Sequence, residues 1–216
     1  FFLSNPRVGE LINVAIEEGV RIAVTYGGSP SLYTGVLKDN DVTVLHQVST
    51  LRHARGAEAQ GVDFLIVEGY EGGGIRGADE TPNFVLIPQI ACAVSIPVIA
   101  SGGVMDARGY VAAMALGAQG VHMGTRFVAT HECMAHNLYK EALVGAIDTG
   151  TVIAGRYHLP TRLLRSDAAL KLKNSAPPAG NDVAGSWEAE LGASQIRTSL
   201  LEGDLNSNIA YCGAGV

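Results

Sequence analysis

Apolar residues along this chain fall into short runs that alternate with amphipathic segments at a period of roughly twenty residues. The runs are nearly continuous in apolar residues, which is typical of parallel strands buried on both faces. They predict strands at Arg21–Thr25, Val42–His46, Asp63–Val67, Pro97–Ala100 and Gly120–Met123. Apolar positions at helical spacing predict helices at Val8–Glu18, Ser49–Gln60, Asn83–Val94, Asp106–Leu116 and Thr130–Val144.

This alternation predicts an α/β fold of parallel strands joined by right-handed crossovers. Two architectures fit the pattern. In a TIM (β/α)8 barrel the visible strands would be strands 4–8, and three βα units would precede Phe1. In an open doubly wound sheet the strands would be complete as they stand. Composition alone does not separate the two.

The pattern changes after Val144. We predict a short strand at Thr151–Gly155, a basic and partly helical stretch at Arg156–Lys173, a loop at Ser175–Asp182 and a helix at Ser186–Glu202. The chain therefore divides into the C-terminal part of a barrel at 1–145, a helical appendage over the barrel mouth at 146–205, and a return to the barrel at 206–216.

Charge and cysteine content exclude several classes of partner. The net charge of the 216 residues is −6 with no block of Lys or Arg, so we expect no nucleic acid and no membrane partner. Cys92, Cys133 and Cys212 have no pairing pattern, which is typical of a reducing compartment and indicates a cytoplasmic protein. His, Cys and Asp nowhere have metal-ligand spacing, so no metal site is expected.

Two glycine turns follow neighbouring predicted strands. Ser101-Gly102-Gly103 and Met123-Gly124-Thr125 each run from a strand into a helix. Such turns expose backbone N–H groups that bind anions. In a β/α barrel the loops after the last two strands commonly form a clamp for one phosphate. Plain tight turns are the alternative interpretation.

A third glycine-rich segment, Glu68-Gly-Tyr-Glu-Gly-Gly-Gly-Ile-Arg-Gly77, directly follows the strand at Asp63–Val67. We call it the glycine loop. Its glycines indicate a backbone that passes close to a ligand at the end of a strand, and a flexible lid without a ligand is the alternative. It is neither a phosphate-binding Walker sequence nor a dinucleotide fingerprint.

These motifs, together with Leu86-Ile-Pro-Gln89 and Ala115-Leu-Gly-Ala-Gln-Gly-Val-His-Met-Gly-Thr-Arg-Phe127, resemble the nitronate monooxygenase family, formerly called 2-nitropropane dioxygenase. The family includes flavin-dependent enoyl-ACP reductases and related NAD(P)H:quinone reductases. The resemblance runs from Gly19 to about Leu170. It implies a TIM barrel that holds FMN at its C-terminal face.

The resemblance also implies a set of flavin contacts. Residues of the two glycine turns would hold the FMN phosphate or line the same strand ends: Ser101, Gly102, Gly103, His122, Met123, Gly124 and Thr125. Gly73 would pack against the flavin, and Gln47 would face its pyrimidine edge, where a polar donor stabilises the reduced form. Glu68 stands where the family often has Gln, and its carboxylate would accept from flavin N3–H.

The main departure from the family is Ile75, which occupies the position of the family's catalytic His. Isoleucine has no proton to exchange, so the catalytic residue is unassigned, with His122 and Tyr70 as candidates. Among the other histidines, His46 lies at a strand end and could face the ligand, and His158 could contact substrate. The remaining three are expected at the surface or in packing, namely His53, His131 and His136.

The function predicted from this resemblance is that of an FMN-dependent oxidoreductase acting on a small molecule. Its flavin would be reduced by NAD(P)H or by substrate and reoxidised by oxygen, a quinone or an activated alkene. One alternative is nitronate monooxygenase activity proper, the oxidative denitrification of alkyl nitronates. Another is a non-catalytic barrel that binds a flavin or another phosphate ligand. The outer helices could form a homodimer.

Overall fold

The computed structural model describes residues 1–156, 159–175 and 193–215. Within these ranges the helices are α1 (Val8–Glu17), α2 (Thr34–Lys38), α3 (Leu51–Ala59), α4 (Asn83–Ala91), α5 (Ala107–Ala115), α6 (Thr125–Val128), α7 (Asn137–Val144), α8 (Asp167–Asn174) and α9 (Ala193–Glu202). The strands are β1 (Ile22–Thr25), β2 (Thr43–Val48), β3 (Phe64–Glu68), β4 (Gly74–Ile75), β5 (Val98–Ser101), β6 (Gly120–His122), β7 (Thr151–Ala154) and β8 (Thr161–Leu164).

The described chain divides into two compact units. The first comprises Phe1–Gly69, Thr81–Ser101 and Tyr110–His122. The second comprises Tyr70–Glu80, Gly102–Gly109 and the described residues from Met123 onward. The segmentation predicted from the sequence, 1–145, 146–205 and 206–216, follows other boundaries and stays a prediction.

The first unit contains a five-stranded parallel sheet in the order β1-β2-β3-β5-β6. All five predicted strands are therefore confirmed, with ends that differ by one or two residues. Three of them run further than predicted, because β2 ends at Val48, β3 at Glu68 and β5 at Ser101. Polar residues that the sequence placed after the strands thus lie on them.

The helices of the first unit pack on one face of this sheet. Side chains at alternate strand positions, such as Val44, Leu65 and Val98, share one core with Ile12 of α1 and Ile87 of α4. Because side chains alternate along a strand, the positions between them point to the other face. A doubly wound sheet carries helices on both faces, whereas a barrel carries them on its outside. The one-sided core therefore favours the barrel.

The helices predicted before Val144 are confirmed, except that α7 begins later than predicted. α1, α3, α4 and α5 lie within the predicted ranges, but α7 begins at Asn137 rather than Thr130. The His136 side chain accepts a hydrogen bond from the Leu138 N–H at 3.2 Å and so caps the shorter helix. The short α2 was not predicted, because five residues carry too little periodicity to be recognised.

The second unit contains an antiparallel sheet in the order β4-β8-β7. The strand predicted at Thr151–Gly155 is confirmed as β7, whereas β8 and the two-residue β4 were not predicted. The appendage expected to be helical thus includes a hairpin beside α8 and α9. Most of the predicted loop Ser175–Asp182, the first part of the predicted helix Ser186–Glu202, and His158 lie outside the described residues.

Two clusters of apolar side chains form the core of the second unit. Neighbouring residues of β8 enter different clusters, since Leu163 packs with Val152 and Ile209 while Leu164 packs with Tyr139 and Cys212. The strand is therefore covered on both faces. Among the described helices, none combines the length and apolar character that crossing a membrane requires.

Truncating a central strand side chain tests this core. Leu65 on β3 is fully buried, so we expect Leu65→Ala to lower the free energy of unfolding by about 2–5 kcal/mol. Leu32 is 75% exposed, and Leu32→Ala serves as the control with a change within about 0.5 kcal/mol. Urea denaturation measures both, and equal losses would contradict the assignment of the core.

Candidate active site

Four predicted site residues meet at the carboxyl end of the parallel sheet. Glu68, Ser101 and His122 are register partners on the neighbouring strands β3, β5 and β6. Their side chains therefore lie at one level on the face away from the helices. Ser101 Oγ lies 3.1 Å from His122 Nδ1, and the Gln47 side-chain amide donates to the Glu68 carboxylate. We call Gln47, Glu68, Ser101 and His122 the polar row.

His122 is the member of the polar row whose side chain type ordinarily titrates near neutral pH. Partial burial lowers its pKa, so the imidazole is neutral at pH 7. A neutral imidazole can donate to the Ser101 hydroxyl or accept from it through Nδ1. Within the described residues, Nε2 makes no hydrogen bond. The pair thus combines a positioned ring with an available nitrogen.

His46 lies on the other face of the sheet and does not join the polar row. It is a register partner of Leu65, which belongs to the helix-side core, and only 4% of its surface is exposed. Its Nδ1 lies 2.8 Å from Thr25 Oγ1. Burial lowers its pKa to about 4, and His53 contributes to the same shift. The expectation that His46 faces a ligand is therefore not supported.

The glycine loop is held in place by a buried arginine. The Arg76 guanidinium donates to the carbonyls of Gly73 at 2.6 Å and Gly74 at 3.0 Å, and its backbone N–H donates to Pro160 at 2.6 Å. Gly74 and Ile75 also pair with Arg162 and Thr161 of β8. These contacts do not fit the alternative of a flexible lid.

Tyr70, at the start of the same loop, is engaged by charged side chains. Its hydroxyl donates to Glu80 at 2.8 Å, and Glu80 forms an ion pair with Arg156. Arg162 donates to the Tyr70 carbonyl at 3.0 Å and lies 5.4 Å from the ring centre. Burial and the hydrogen bond to Glu80 raise the Tyr70 pKa to about 12. The phenol therefore keeps its proton, which argues against Tyr70 as the catalytic acid.

Gly73 is in close contact with the protein's own backbone. A Cβ atom on Gly73 would lie 2.7 Å from the Cys212 carbonyl carbon and 2.7 Å from the Gly213 nitrogen. On the side where a Cβ would stand, Gly73 is thus approached by the segment 211–215, and its contact with a flavin stays a prediction. We call residues 211–215 the tail. The sequence indicated that this segment is rich in glycine and that 206–216 returns to the barrel.

The turn residues predicted to bind phosphate lie in the second unit, except for Ser101. Gly102 and Gly103 have φ angles of 93° and 74°, a region that favours glycine. Nothing lies within 4 Å of a Cβ built on Gly124, so this turn borders open space. The Thr125 hydroxyl accepts from the Gly213 N–H at 2.9 Å. Met123 follows β6 directly and is half-buried.

Sequence reasoning missed three contributors to this arrangement: Arg76, Arg162 and the tail. Arg76 is buried, with 7% of its surface exposed. The one signal in the sequence that could have indicated its role is its position directly after the glycine run and Ile75. Partial burial lowers the pKa of Arg162, and Glu71 and Tyr70 oppose that shift. The tail makes its contacts largely through backbone atoms. Such contacts do not require particular side chains, so the sequence carries little signal for them.

A sequence model of the nitronate monooxygenase family matches residues 3–216. The chain belongs to the nitronate monooxygenase family. A probable nitronate monooxygenase of Staphylococcus saprophyticus is 37% identical over 154 residues, which are 67% of this chain and 43% of the relative. A (3aS,4S,5R,7aS)-5-hydroxy-7a-methyl-1-oxo-octahydro-1H-indene-4-carboxyl-CoA dehydrogenase of Mycobacterium tuberculosis is 36% identical over 176 residues, 80% of this chain and 49% of the relative. The chain thus spans about half the length of the curated relatives it matches.

Solved structures agree with this membership. FabK from Thermotoga maritima has a TM-score of 0.90 and 38% identity, covering 100% of this chain and 68% of FabK. A nitroalkane oxidase from Streptomyces ansochromogenes has a TM-score of 0.80 and 26% identity, covering 96% of this chain and 62% of the oxidase. The likeness confirms the predicted fold class, a TIM barrel, of which the described residues show five adjacent parallel strands.

The residues present fit the flavin that is characteristic of this family. The second unit offers two glycine turns, open space beside Gly124, and a threonine hydroxyl whose O–H remains available for an anion. The first unit offers amide, carboxylate, hydroxyl and imidazole groups in the polar row. These are the group types that bind a phosphate and the polar edge of an isoalloxazine ring.

The contact at Gly73 predicts a steric cost. We expect Gly73→Ala to destabilise the protein by about 1–3 kcal/mol, because its Cβ meets backbone atoms that cannot move aside cheaply. Gly56→Ala is the control, since Gly56 lies within α3 with open space around it and alanine favours helix. Thermal unfolding measures both variants. A Gly73→Ala protein as stable as wild type would show that the tail does not pack closely against Gly73 of the glycine loop.

Burial of His46 predicts a stability change with pH. The folded protein binds a proton at His46 near pH 4, whereas the unfolded chain binds it near pH 6.5. The stability that neutral His46 contributes is therefore complete above pH 6.5 and is lost as the pH falls towards 4. The loss is about 2–3 kcal/mol. We expect His46→Gln to flatten the pH dependence of the unfolding free energy over this range.

His131, which is exposed, provides the matched control for that titration. His131→Gln should retain the wild-type pH dependence. An unchanged slope in the His46→Gln protein would show that His46 is not buried in its neutral form.

Proposed function

We propose that this chain is part of an FMN-dependent oxidoreductase of the nitronate monooxygenase group. Its flavin is reduced by NAD(P)H or by substrate and reoxidised by oxygen, a quinone or an activated alkene. The observation that carries the proposal is the family match over residues 3–216. The geometry of the glycine turns and of the polar row supports it.

In this proposal the two glycine turns hold the FMN phosphate. Gly103 and Gly124 let the backbone approach the phosphate oxygens, and Thr125 donates its hydroxyl proton to one of them. Charge-assisted hydrogen bonds of this kind are stronger than neutral ones. The negative charge of Glu71, which lies beside Gly103, is opposed by Arg162.

Within the first unit, the polar row offers the group types that a flavin ring requires. Glu68 accepts from the ring N3–H, and Gln47 holds the carboxylate in position through its amide. Bound FMN supplies hydride and electron transfer. The protein's task is to orient the ring and to supply or remove the proton that accompanies the transfer.

We assign that proton transfer to His122. Ile75 occupies the family's catalytic position and carries no exchangeable proton, while the Tyr70 proton is held by Glu80. His122 is neutral at pH 7, is oriented by Ser101, and has Nε2 available. The residue that replaces the missing base would thus lie on β6 rather than on the glycine loop.

Nitronate monooxygenase activity proper is the second candidate. The relative from Staphylococcus saprophyticus bears that name, and a solved neighbour is a nitroalkane oxidase. A preformed nitronate is already an anion and needs no base, so Ile75 does not exclude this substrate class. The relative from Mycobacterium tuberculosis is a carboxyl-CoA dehydrogenase, which adds acyl thioesters to the substrates worth testing.

We also propose a cytoplasmic location and a homodimer. Cys92, Cys133 and Cys212 are free thiols, as a reducing compartment requires. Phe84 and Val111 are 78% and 64% exposed on helices of the first unit, and a second copy would cover such residues in the proposed dimer.

Anaerobic reduction followed by oxidant addition tests the proposed function. The purified protein is loaded with FMN, and NADH, NADPH or ethyl nitronate is added while flavin absorbance is followed. We expect bleaching with at least one reductant and recovery on adding oxygen, a quinone or an enoyl thioester. Bound FMN that no reductant bleaches would favour the non-catalytic alternative.

Replacing His122 tests its assigned role. At saturating FMN, we expect His122→Gln to lower turnover by about 10²-fold or more, because a positioned acid or base contributes that much. The pH profile should lose the limb that belongs to the imidazole. His131→Gln is the control. Wild-type turnover and pH profile in His122→Gln would refute the assignment.

A further inference from the structure

The tail, residues 211–215, touches each of the loops that the proposed phosphate site uses in the second unit. It contacts Thr125, Gly103 and the glycine loop, at Glu71 and Gly73. We propose that the tail is the positioning element of the phosphate site, and that it sets the Thr125 hydroxyl to donate to the phosphate monoester of the bound flavin. This inference rests on the proposed function.

The contact with Thr125 determines which way its hydroxyl donates. The Gly213 N–H points at Thr125 Oγ1 across 2.9 Å. A hydroxyl has one proton to donate and lone pairs to accept with. Because the Gly213 N–H occupies an acceptor position, the proton of Thr125 is directed elsewhere. The structure thus prepares a donor for an anion without any change of rotamer.

The same segment reaches the other glycine turn. A Cβ atom on Gly215 would lie 3.0 Å from the Gly103 carbonyl oxygen. Residues 213 and 215 are two positions apart, so they span about 7 Å at most. The tail therefore ties the Gly103 turn to the Thr125 turn over a distance comparable to a phosphate group and its hydrogen bonds.

The third contact fixes the tail to the glycine loop. The Ala214 N–H donates to the Glu71 carbonyl at 2.7 Å, and Gly73 packs against the backbone of Cys212 and Gly213. Arg76 in turn holds the carbonyls of Gly73 and Gly74. The tail thus rests on a loop that is itself held by hydrogen bonds.

The tail is anchored where it leaves the core. Cys212 is fully buried, and the Tyr139 hydroxyl donates to the Tyr211 carbonyl. The Leu164 N–H donates to Ala210 at 2.8 Å, which joins the approach to the tail to β8. Burial raises the Cys212 pKa to about 12, so this thiol is inert and serves packing. A segment fixed at its start can preorganise the groups that it contacts.

Removing the Gly213 N–H tests the proposal. Gly213→Pro lacks the donor, whereas Gly213→Ala keeps it, and a Cβ at this position makes only ordinary contacts at 3.4 Å or more. Dissociation constants for FMN and for riboflavin, which lacks the phosphate, are measured by fluorescence quenching. We expect Gly213→Pro to weaken FMN about tenfold, as loss of one charge-assisted hydrogen bond would, and to leave riboflavin unchanged. Gly213→Ala should keep the wild-type ratio of the two constants.

Four further variants keep the test decisive if the proline variant has a folding defect. Thr125→Val removes the hydroxyl and Thr125→Ser keeps it, so valine should weaken FMN about tenfold and serine should not. In the Thr125→Val background, Gly213→Pro should cause no further loss, because the Gly213 N–H acts through that hydroxyl. If Gly213→Pro does not fold, Gly215→Ala replaces it and should weaken FMN selectively through its contact with Gly103.

The outcomes separate this inference from the proposed function. Unchanged FMN affinity in Gly213→Pro, or an equal loss for FMN and riboflavin, would overturn the role of the tail while the flavin assignment stands. Additive losses in the double variant would do the same. A wild-type protein that binds neither flavin would overturn the proposed function, and the role of the tail would fall with it.

Discussion

The alternation of side chains along buried parallel strands is the constraint on which the first unit depends. Val44, Leu65 and Val98 enter the helix-side core, so residues one position away must face the opposite side of the sheet. Parallel strands also bring all their carboxyl ends to one edge. These two facts bring Glu68, Ser101 and His122 together without any loop. Burial sets the chemistry as well, since it keeps His46 neutral at pH 7 as a core residue. Partial desolvation lowers the pKa of His122 beside Ser101.

In the second unit, close backbone contact takes the place of side-chain alternation. Gly73, Gly103 and Gly215 are positions where a Cβ would meet backbone or a neighbouring side chain within about 3 Å. Removing side chains lets the tail, the glycine loop and the turns share hydrogen bonds, and Arg76 satisfies the carbonyls that remain. The glycines therefore serve the protein's own packing as well as the approach of a ligand.

The apolar runs predicted every parallel strand and most helices, because buried strands and amphipathic helices carry strong periodic patterns. The strand ends were placed too early at Glu68 and Ser101, since a polar residue at the end of a strand looks like the start of a loop. β8 was missed because Arg162 interrupts a short apolar run. Family resemblance assigned the turn residues to the phosphate, and that assignment stays a prediction. The contacts of the tail could not be predicted, because they run largely through backbone atoms.

The central proposal is that this member of the nitronate monooxygenase family holds FMN by its phosphate, through the turns at Gly103 and at Gly124 and Thr125. Calorimetric titration of the purified wild-type protein with FMN and with riboflavin tests it most directly. The account predicts that FMN binds about a hundredfold more tightly, from two or more hydrogen bonds to a charged group. Equal affinities for the two flavins would contradict it.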